Sequence, residues 1–258
     1  DYMGETDHVI GCLNLYRNPG ANFSIHDTLL YELVISEPNI TFQLNCSCQD
    51  AEMTNGRIAS VTGWQLASET YHHVRARWFA DCSGDGILAP LTGAPFRVGR
   101  EARDEYNETA APETADELTM GQSIRYQTRR CGTPQPFIAP PWAYTFESCD
   151  DLPRGANGHK GNIIGLGYWW IELGGEEDTI HENEALRNEL LKIAYGVWDH
   201  VKNHCPHHRS DAECLELEWM QFLPAKRESR RYVGAYVLNQ NDLESEGVFD
   251  DTVAYGGW

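Results

Sequence analysis

The feature that most constrains the fold is the stretch Phe79–Gly86, which reads FADCSGDG. It ends a strand-like run and leads directly into the small-residue segment ILAPLTGA. Two glycines, a serine and two aspartates in this position predict a tight turn into a helix, with an aspartate capping that helix. The same residue types also suit a backbone that passes close to a flavin or nucleotide, with the helix N-terminus facing a phosphate. The stretch alone leaves both interpretations open.

The composition indicates a globular chain. Its 258 residues are 41% hydrophobic, which is enough for a sizeable core, and no apolar run approaches the length that crosses a bilayer. A formal net charge of −19 argues against nucleic acid as a partner, because phosphate binding needs a clustered basic surface. We therefore expect no nucleic-acid partner and no membrane partner, and the sequence does not indicate an oligomeric state.

The eight cysteines are spread along the chain without a CxxC pair or a disulfide framework. In a chain of this length they are typical of mostly reduced, buried thiols, and one or two disulfides stay open. This pattern slightly favours the cytoplasm. A secreted or periplasmic location also stays open, because we expect the true N-terminus to lie upstream.

The first part of the chain has the pattern of a helix followed by strands. Ser24–Asp27 resembles a capping box, and Pro38 ends the apolar helical spacing that follows it. Asn55-Gly56 predicts a hairpin turn. The strand-like segments are 40–48, 57–64 and 71–79. A helix, a hairpin, a strand and a glycine-rich turn together suggest the second half of an α/β nucleotide-binding unit.

The texture changes from about residue 95, where proline-rich and aromatic-rich segments begin. We interpret this region as an inserted domain with irregular loops and a few strands. Within it, Thr179–Glu182 predicts a capping box that opens a helix running to about His200. The apolar residues expected on one face of that helix are Leu186, Leu190, Ile193, Ala194, Val197 and Val201.

Several segments carry a resemblance to a known family. They are Phe79–Gly86, Gly93–Arg97, Gly99–Glu101, Gly167–Gly175, Tyr195–His200, Lys226–Gly234 and Phe249–Trp258. In this order they resemble the FAD-dependent oxidoreductase family, which is related to the glutathione-reductase-like and fumarate-reductase-like flavoproteins. The resemblance extends over nearly the whole chain.

The resemblance implies an α/β fold and a redox function. Residues 1–94 would form part of an FAD-binding, Rossmann-like domain, residues 95–225 an inserted mixed α+β substrate domain, and residues 226–258 the return segment of the first domain. The cofactor would be FAD, which takes up a hydride from a small-molecule substrate. A carbohydrate or polyol fits the aromatic and acidic surface, but the sequence does not identify the substrate.

The resemblance also implies cofactor-binding positions. Ser83, Gly84, Asp85 and Gly86 stand where the backbone passes the FAD, and Cys82 takes a position where the family often has a small residue. Cys48 matches a strand that lies along the adenine, and its alternative role is that of a buried small hydrophobic residue. The implied positions near the flavin ring are Gly256, Gly257 and Trp258.

The chain departs from the family pattern at the phosphate site. The family carries a GxGxxG loop near its N-terminus, with an acidic residue further on, and neither is present in this sequence. We therefore expect an interior fragment of a longer flavoenzyme. We also expect the 258-residue chain to purify without FAD, because the absent GxGxxG loop would supply the pyrophosphate contacts.

Arg227, Arg230 and Arg231 are the candidate catalytic residues. They belong to a dense charged run that precedes an apolar strand. Such a run is usually a solvated face, but an arginine aimed at the flavin would bind a carboxylate or hydroxyl-rich substrate and stabilise charge. Residues that would line the same cleft are Trp169, Trp170 and Glu172, although core packing is an alternative for the tryptophans.

A second cluster has the ligand types of a zinc site. It contains His204, Cys205, His207 and His208, with Cys214 six residues beyond the last histidine. Because no second Cys or His pair lies nearby, we predict no metal there and instead expect an exposed His-rich loop or a Cys205–Cys214 disulfide. The alternative functions are a non-catalytic carbohydrate-binding module and a zinc-stabilised interaction protein.

Overall fold

The computed structural model describes residues 17–18, 22–153, 163–164, 171–245, 247 and 249–252. The chain separates into two compact units, Asp1–Phe79 and Ala80–Trp258. The first unit contains a helix and a three-stranded sheet, and the second contains the FADCSGDG turn apart from its first residue.

In the first unit, helix α1 spans Phe23–Ile35. The predicted start at Ser24 is wrong. The helix is capped by Asn22, whose side chain accepts a hydrogen bond from the Ile25 amide at 3.2 Å, so it begins two residues earlier than predicted. Leu29 is the buried residue of this helix.

The sheet of the first unit is antiparallel, in the order β1 (Cys46–Thr54), β2 (Arg57–Gln65) and β3 (Thr70–Arg75). The predicted hairpin at Asn55-Gly56 is confirmed, and both residues have positive φ, 52° and 73°. The predicted strand over 40–48 is wrong over most of its length. The strand begins only at Cys46 and runs on to Thr54, because Asn45, with a φ of 54°, interrupts the extended backbone before it.

The third strand is also shorter than predicted. Its pairing with β2 ends at the Ser60–Arg75 pair, so β3 stops at Arg75 and does not reach Phe79. The residues between β3 and the glycine-rich turn have no regular strand structure.

In its described residues, the second unit combines helices with three two-stranded antiparallel sheets. Its helices are α2 (Leu88–Thr92), α3 (Arg103–Tyr106), α4 (Asn183–Asp199) and α5 (Gln240–Glu244), with a 3-10 turn at Cys149–Asp151 and a π-helical turn at His200–His204. The sheets pair β4 (Phe96–Arg97) with β9 (Arg231–Tyr232), β5 (Gln122–Ile124) with β7 (Ile171–Leu173), and β6 (Tyr126–Arg130) with β8 (Leu215–Met220). The β4–β9 pair places Arg231 of the charged run beside Arg97, near the start of the unit.

Helix α4 supplies one side of the core of the second unit. The predicted apolar face is confirmed, since Leu186, Leu190, Ala194, Val197 and Val201 are buried and Ile193 is partly buried. The helix ends at Asp199 and continues as the π-helical turn, close to the predicted end.

The capping box predicted for the start of α4 is not formed. The carboxylate of Asp178 accepts the amides of Ile180 and His181 at 2.8 and 3.0 Å, and Glu182 accepts the Asp178 amide at 3.0 Å. Thr179 is buried and donates its hydroxyl to the Glu228 carbonyl at 2.9 Å. Asp178 therefore organises the turn before α4, whose N-cap residue Glu182 makes no side-chain capping hydrogen bond.

The chain is a mixed α/β protein with small sheets and few helices. Each strand pair in the described part of the chain is antiparallel. In the same residues, no helix has both the length and the apolar character needed to cross a bilayer.

Candidate functional site

The turn after Phe79 is organised by the carboxylate of Asp81. Its Oδ1 accepts the Ser83 amide at 3.0 Å, and its Oδ2 accepts the Leu88 amide at 2.9 Å and the Tyr232 hydroxyl at 2.5 Å. Ser83 adds a second contact, since its Oγ accepts the Ile87 amide at 3.2 Å. Asp81 therefore binds the first turn of α2 and connects it to β9.

Burial acts to raise the pKa of Asp81, but hydrogen bonds from Ser83, Tyr232 and the Leu88 amide outweigh it and lower this pKa to about 2. Burial raises the pKa of Tyr232, and the hydrogen bond to Asp81 raises it further, to about 12. The pair therefore consists of an ionised carboxylate and a neutral phenol over a wide pH range.

Asp85 does not cap the helix. Its carboxylate lies 2.7 Å from Nζ of Lys226 and accepts the Ser229 hydroxyl at 2.7 Å. Burial opposes ionisation, but these two hydrogen bonds hold the pKa of Asp85 below its usual value of 3.8. Arg230 donates to the backbone carbonyl of Asp85 at 3.2 Å, so segment 226–230 fixes the loop from one side.

The two glycines of the loop have different reasons to be glycine. Gly86 has a φ of 59°, and a Cβ there would lie 3.3 Å from the Tyr232 ring. Gly84 has a φ of 81°, yet a Cβ there would meet no atom within 4 Å. Cys82, Ser83 and Gly84 are exposed. The Gly84 side of the loop therefore faces open space.

The backbone carbonyls and amides of the loop differ in their hydrogen bonding. The carbonyls of Gly84, Asp85 and Gly86 accept hydrogen bonds from Ser229, Arg230 and the Ala89 amide. Among the described residues, the amides of Gly84 and Asp85 donate to no partner. A loop with occupied carbonyls and available amides suits a ligand with oxygen or nitrogen acceptors.

The three candidate catalytic arginines occupy different environments. Arg231 pairs with Glu101 at 3.1 Å and with Glu228 at 3.5 Å. Arg227 pairs with Glu172 of β7 at 3.7 Å. The Arg230 guanidinium lies 5.6 Å from the centre of the Phe96 ring and lines a cavity, so it is the arginine best placed to meet a ligand.

The cavity beside Arg230 has a volume of about 530 Å³. It is lined by Phe96, Val98, Glu117, Thr119, Glu176, Glu177, Asp178, Thr179, Ile180, His181, Ser229 and Arg230. Ser229 and Arg230 line the cavity and also contact Asp85 of the loop, so the cavity adjoins the loop at these two residues. The wall combines carboxylates, one arginine, one histidine and an aromatic ring.

A histidine–aspartate pair in this cavity was not found from the sequence, which placed His181 only within a helix cap. His181 Nδ1 lies 2.7 Å from the Asp178 carboxylate. This hydrogen bond and those from the His181 and Ile180 amides lower the pKa of Asp178 to about 2. An ionised carboxylate only accepts, so Nδ1 donates to Asp178; in the neutral imidazole, Nε2 then carries the lone pair.

Other predicted positions lie elsewhere. Cys48 is half-buried in β1, in the first unit, and its Sγ lies 3.8 Å from the Asp50 carbonyl. Gly256, Gly257 and Trp258, predicted near the flavin, and Trp169 and Trp170, predicted in the substrate cleft, lie outside the described residues.

The segment after α4 differs from both sequence-based alternatives. Cys205 is fully buried and forms no disulfide with Cys214, so the Cys205–Cys214 disulfide that the sequence left open is not formed. His204 and His207 are exposed, as a His-rich loop would require, but His208 is half-buried. His204 lies 3.3 Å from the Asp199 carboxylate.

Comparison with known proteins agrees with the resemblance noted in the sequence. The profile of a family described as FAD dependent oxidoreductase matches residues 8–258. No curated protein and no solved structure gives a significant match to the chain. Because the profile match covers almost the whole chain, this protein belongs to the FAD dependent oxidoreductase family, whose cofactor is FAD.

Proposed function

We propose that the backbone of Cys82–Gly86 lies against FAD and that the adjoining cavity binds a small hydroxylated substrate, of the carbohydrate or polyol class. The family match supports the cofactor and a small-molecule redox reaction. The position of the cofactor rests on one observation: Gly84 has a positive φ and an open side within a loop that is otherwise held by Asp81 and segment 226–230.

The residues present fit the cofactor. A Cβ at Gly84 would fill the open side of the loop, and the Gly84 and Asp85 amides are available to acceptor atoms of a flavin or phosphate. Helix α2, with five residues, is too short to provide a helix-terminal phosphate site, and Asp81 already binds its Leu88 amide. The loop amides are therefore the donors that we assign to FAD.

We place this loop in a partial Rossmann-like FAD-binding domain over residues 1–94 and 226–258. Residues 95–225 would form the inserted substrate domain. The contacts of Asp85 with Lys226 and Ser229 support the idea that the two outer segments act together, because they join the loop to the start of the proposed return segment.

The polar wall of the cavity supports a hydroxylated substrate. Carboxylates such as Glu117 and Glu177 accept hydroxyl hydrogen bonds, and the Phe96 ring offers an apolar face to a sugar or polyol carbon chain. Arg230 would donate to a substrate oxygen, while Arg231 stays with Glu101 and supports the loop. Among the three arginines, we therefore assign substrate contact to Arg230.

Oxidation of a hydroxyl-bearing carbon removes a hydride from the carbon and a proton from the hydroxyl. FAD, when bound, supplies the hydride acceptor. His181 is positioned to take the proton at Nε2, because Asp178 holds its proton on Nδ1. Asp178 would also stabilise the imidazolium that results.

The experiment compares two glycine variants of the protein after reconstitution with FAD, because the 258-residue chain is expected to purify without it. Gly84→Val and Gly56→Val both place a branched residue at a positive φ, 81° and 73°, with no atom within 4 Å of the new Cβ. They should lose similar amounts of stability, but only Gly84→Val should lose flavin, measured as FAD absorbance per folded chain. A folded Gly84→Val protein with unaltered flavin content would refute the assigned contact.

A further inference from the structure

A cluster of metal-ligand side chains lies in the second unit, outside the proposed flavin site. It is formed by Cys149, His200 and Cys205, whose ligand atoms all lie within 4.8 Å of one another. His200 and Cys205 are fully buried, and Cys149 is half-buried. Two thiols and an imidazole that meet at this distance form a Cys2His ligand set.

Two turns of the backbone bring these residues together. Cys149 begins the 3-10 turn that follows Ser148. His200 begins the π-helical turn and Cys205 follows its last residue. The Cys205 amide donates to the His200 carbonyl at 2.7 Å. In an α-helix, residues five apart point about 140° away from each other, whereas the wider turn places them side by side.

The imidazole of His200 is oriented as a ligand should be. Its Nδ1 lies 2.8 Å from the Phe146 carbonyl, and a carbonyl only accepts, so Nδ1 carries the proton and Nε2 carries the lone pair. Metal-bound histidines commonly donate their second ring nitrogen to a backbone carbonyl in this way. Nε2 points towards the sulfur of Cys149.

One distance in the cluster, between Cys149 and His200, matches tetrahedral zinc. The Cys149 sulfur lies 3.6 Å from Nε2 of His200. Zn–S and Zn–N bonds of about 2.3 and 2.0–2.1 Å at a tetrahedral angle place S and N about 3.6 Å apart. A zinc ion therefore fits between these two atoms without moving them, and the Cys205 sulfur lies within 4.8 Å of both.

We propose that Cys149, His200 and Cys205 bind one Zn²⁺, with water as the fourth ligand. Two thiolates and one imidazole favour zinc over magnesium or calcium, which prefer oxygen ligands. The bound ion would tie the turn at Cys149 to the end of α4. This set differs from the sequence-based cluster. It excludes His204, His207, His208 and Cys214, and it adds Cys149 and His200, which the sequence did not single out as ligands.

The test measures metal in protein produced without a polyhistidine tag. The wild-type chain should retain about one zinc per chain by elemental analysis. Cys149→Ser and Cys205→Ser should each lose most of it, whereas Cys214→Ser and Cys131→Ser, which remove thiols outside the cluster, should retain it. Equal zinc content in all four variants would overturn the proposal.

A spectroscopic measurement on the wild-type chain covers the case in which a cluster variant does not fold. Replacement of zinc by Co²⁺ should give a thiolate-to-cobalt charge-transfer band and the visible bands of tetrahedral cobalt. The charge-transfer band should be weaker in folded Cys149→Ser and unchanged in Cys214→Ser. A cobalt spectrum without thiolate bands, or a thiol titration showing a Cys149–Cys205 disulfide in the purified protein, would overturn the site.

Discussion

The carboxylate of Asp85 lies 2.7 Å from Nζ of Lys226, although 141 positions separate the two residues in the sequence. The same carboxylate accepts the Ser229 hydroxyl, and the side chains of Asp85 and Lys226 are both partly buried. This contact joins the Cys82–Gly86 loop to segment 226–231, which contains the three candidate arginines. The two segments that the sequence identified separately therefore meet at one carboxylate.

We expect Asp85→Ala to lower both stability and flavin content. The variant removes a charged hydrogen bond to Lys226 and one to Ser229, which together correspond to about 1–3 kcal/mol of unfolding free energy. Flavin content should fall as the loop loses its support. Chemical denaturation and FAD absorbance measure the two effects.

Glu184→Ala is the control for Asp85→Ala, because it removes an ion pair with Arg187 from a carboxylate that is 70% exposed. Exposed pairs of this kind contribute at most about 1 kcal/mol. Equal effects of the two variants would show that Asp85 does not support the loop.

The Asp81–Tyr232 pair predicts how stability depends on pH. The folded pKa of Asp81 is about 2, below its usual 3.8, so its contribution is present above pH 3.8 and is lost as pH falls towards 2. The folded pKa of Tyr232 is about 12, above its usual 10.0, so its contribution is present below pH 10.0 and is lost as pH rises towards 12.

Tyr232→Phe should therefore flatten the stability curve at both ends. The variant has no phenol to titrate, and Asp81 loses one of the hydrogen bonds that lower its pKa. Unfolding free energies at about pH 3, 7 and 11 measure the change. Tyr71→Phe, which alters an exposed side chain, should keep the wild-type curve. An unchanged curve for Tyr232→Phe would contradict the pairing.

Two local patterns in the sequence predicted the local structure correctly, whereas the predicted helix caps and strand bounds did not hold. The Asn55-Gly56 turn and the buried face of α4 depend on residues close together in the chain, and both are confirmed. The family resemblance also depends on short segments, and the profile match confirms it.

Contacts between distant segments were beyond sequence patterns. Two aspartates compete for the cap of α2, and Asp81 takes it because Lys226 and Ser229 hold Asp85. Cys149 and His200 are likewise 51 positions apart, so no spacing rule could pair them. Which partner a polar side chain finds depends on the tertiary fold.

Arg230→Lys should weaken substrate binding more than Arg231→Lys. Arg230 lines the cavity, whereas Arg231 is held by Glu101 and Glu228. Loss of the planar guanidinium at Arg230 should raise KM about tenfold or more, since charged hydrogen bonds of this kind contribute about 1.5–3 kcal/mol. Steady-state kinetics at matched flavin content measure the difference. Equal KM values for the two variants would place the substrate elsewhere.

His181→Gln should lower kcat by about 10²–10⁴, the range for loss of a general base. The imidazole is 74% exposed and lines the cavity, so imidazole added to the medium should restore part of the rate.

His73→Gln is the matched control, because His73 also lies near a carboxylate, that of Glu52 at 3.8 Å, but belongs to the first unit. Its kcat should match that of the wild type. A folded His181→Gln variant that keeps the wild-type kcat would show that another group accepts the proton.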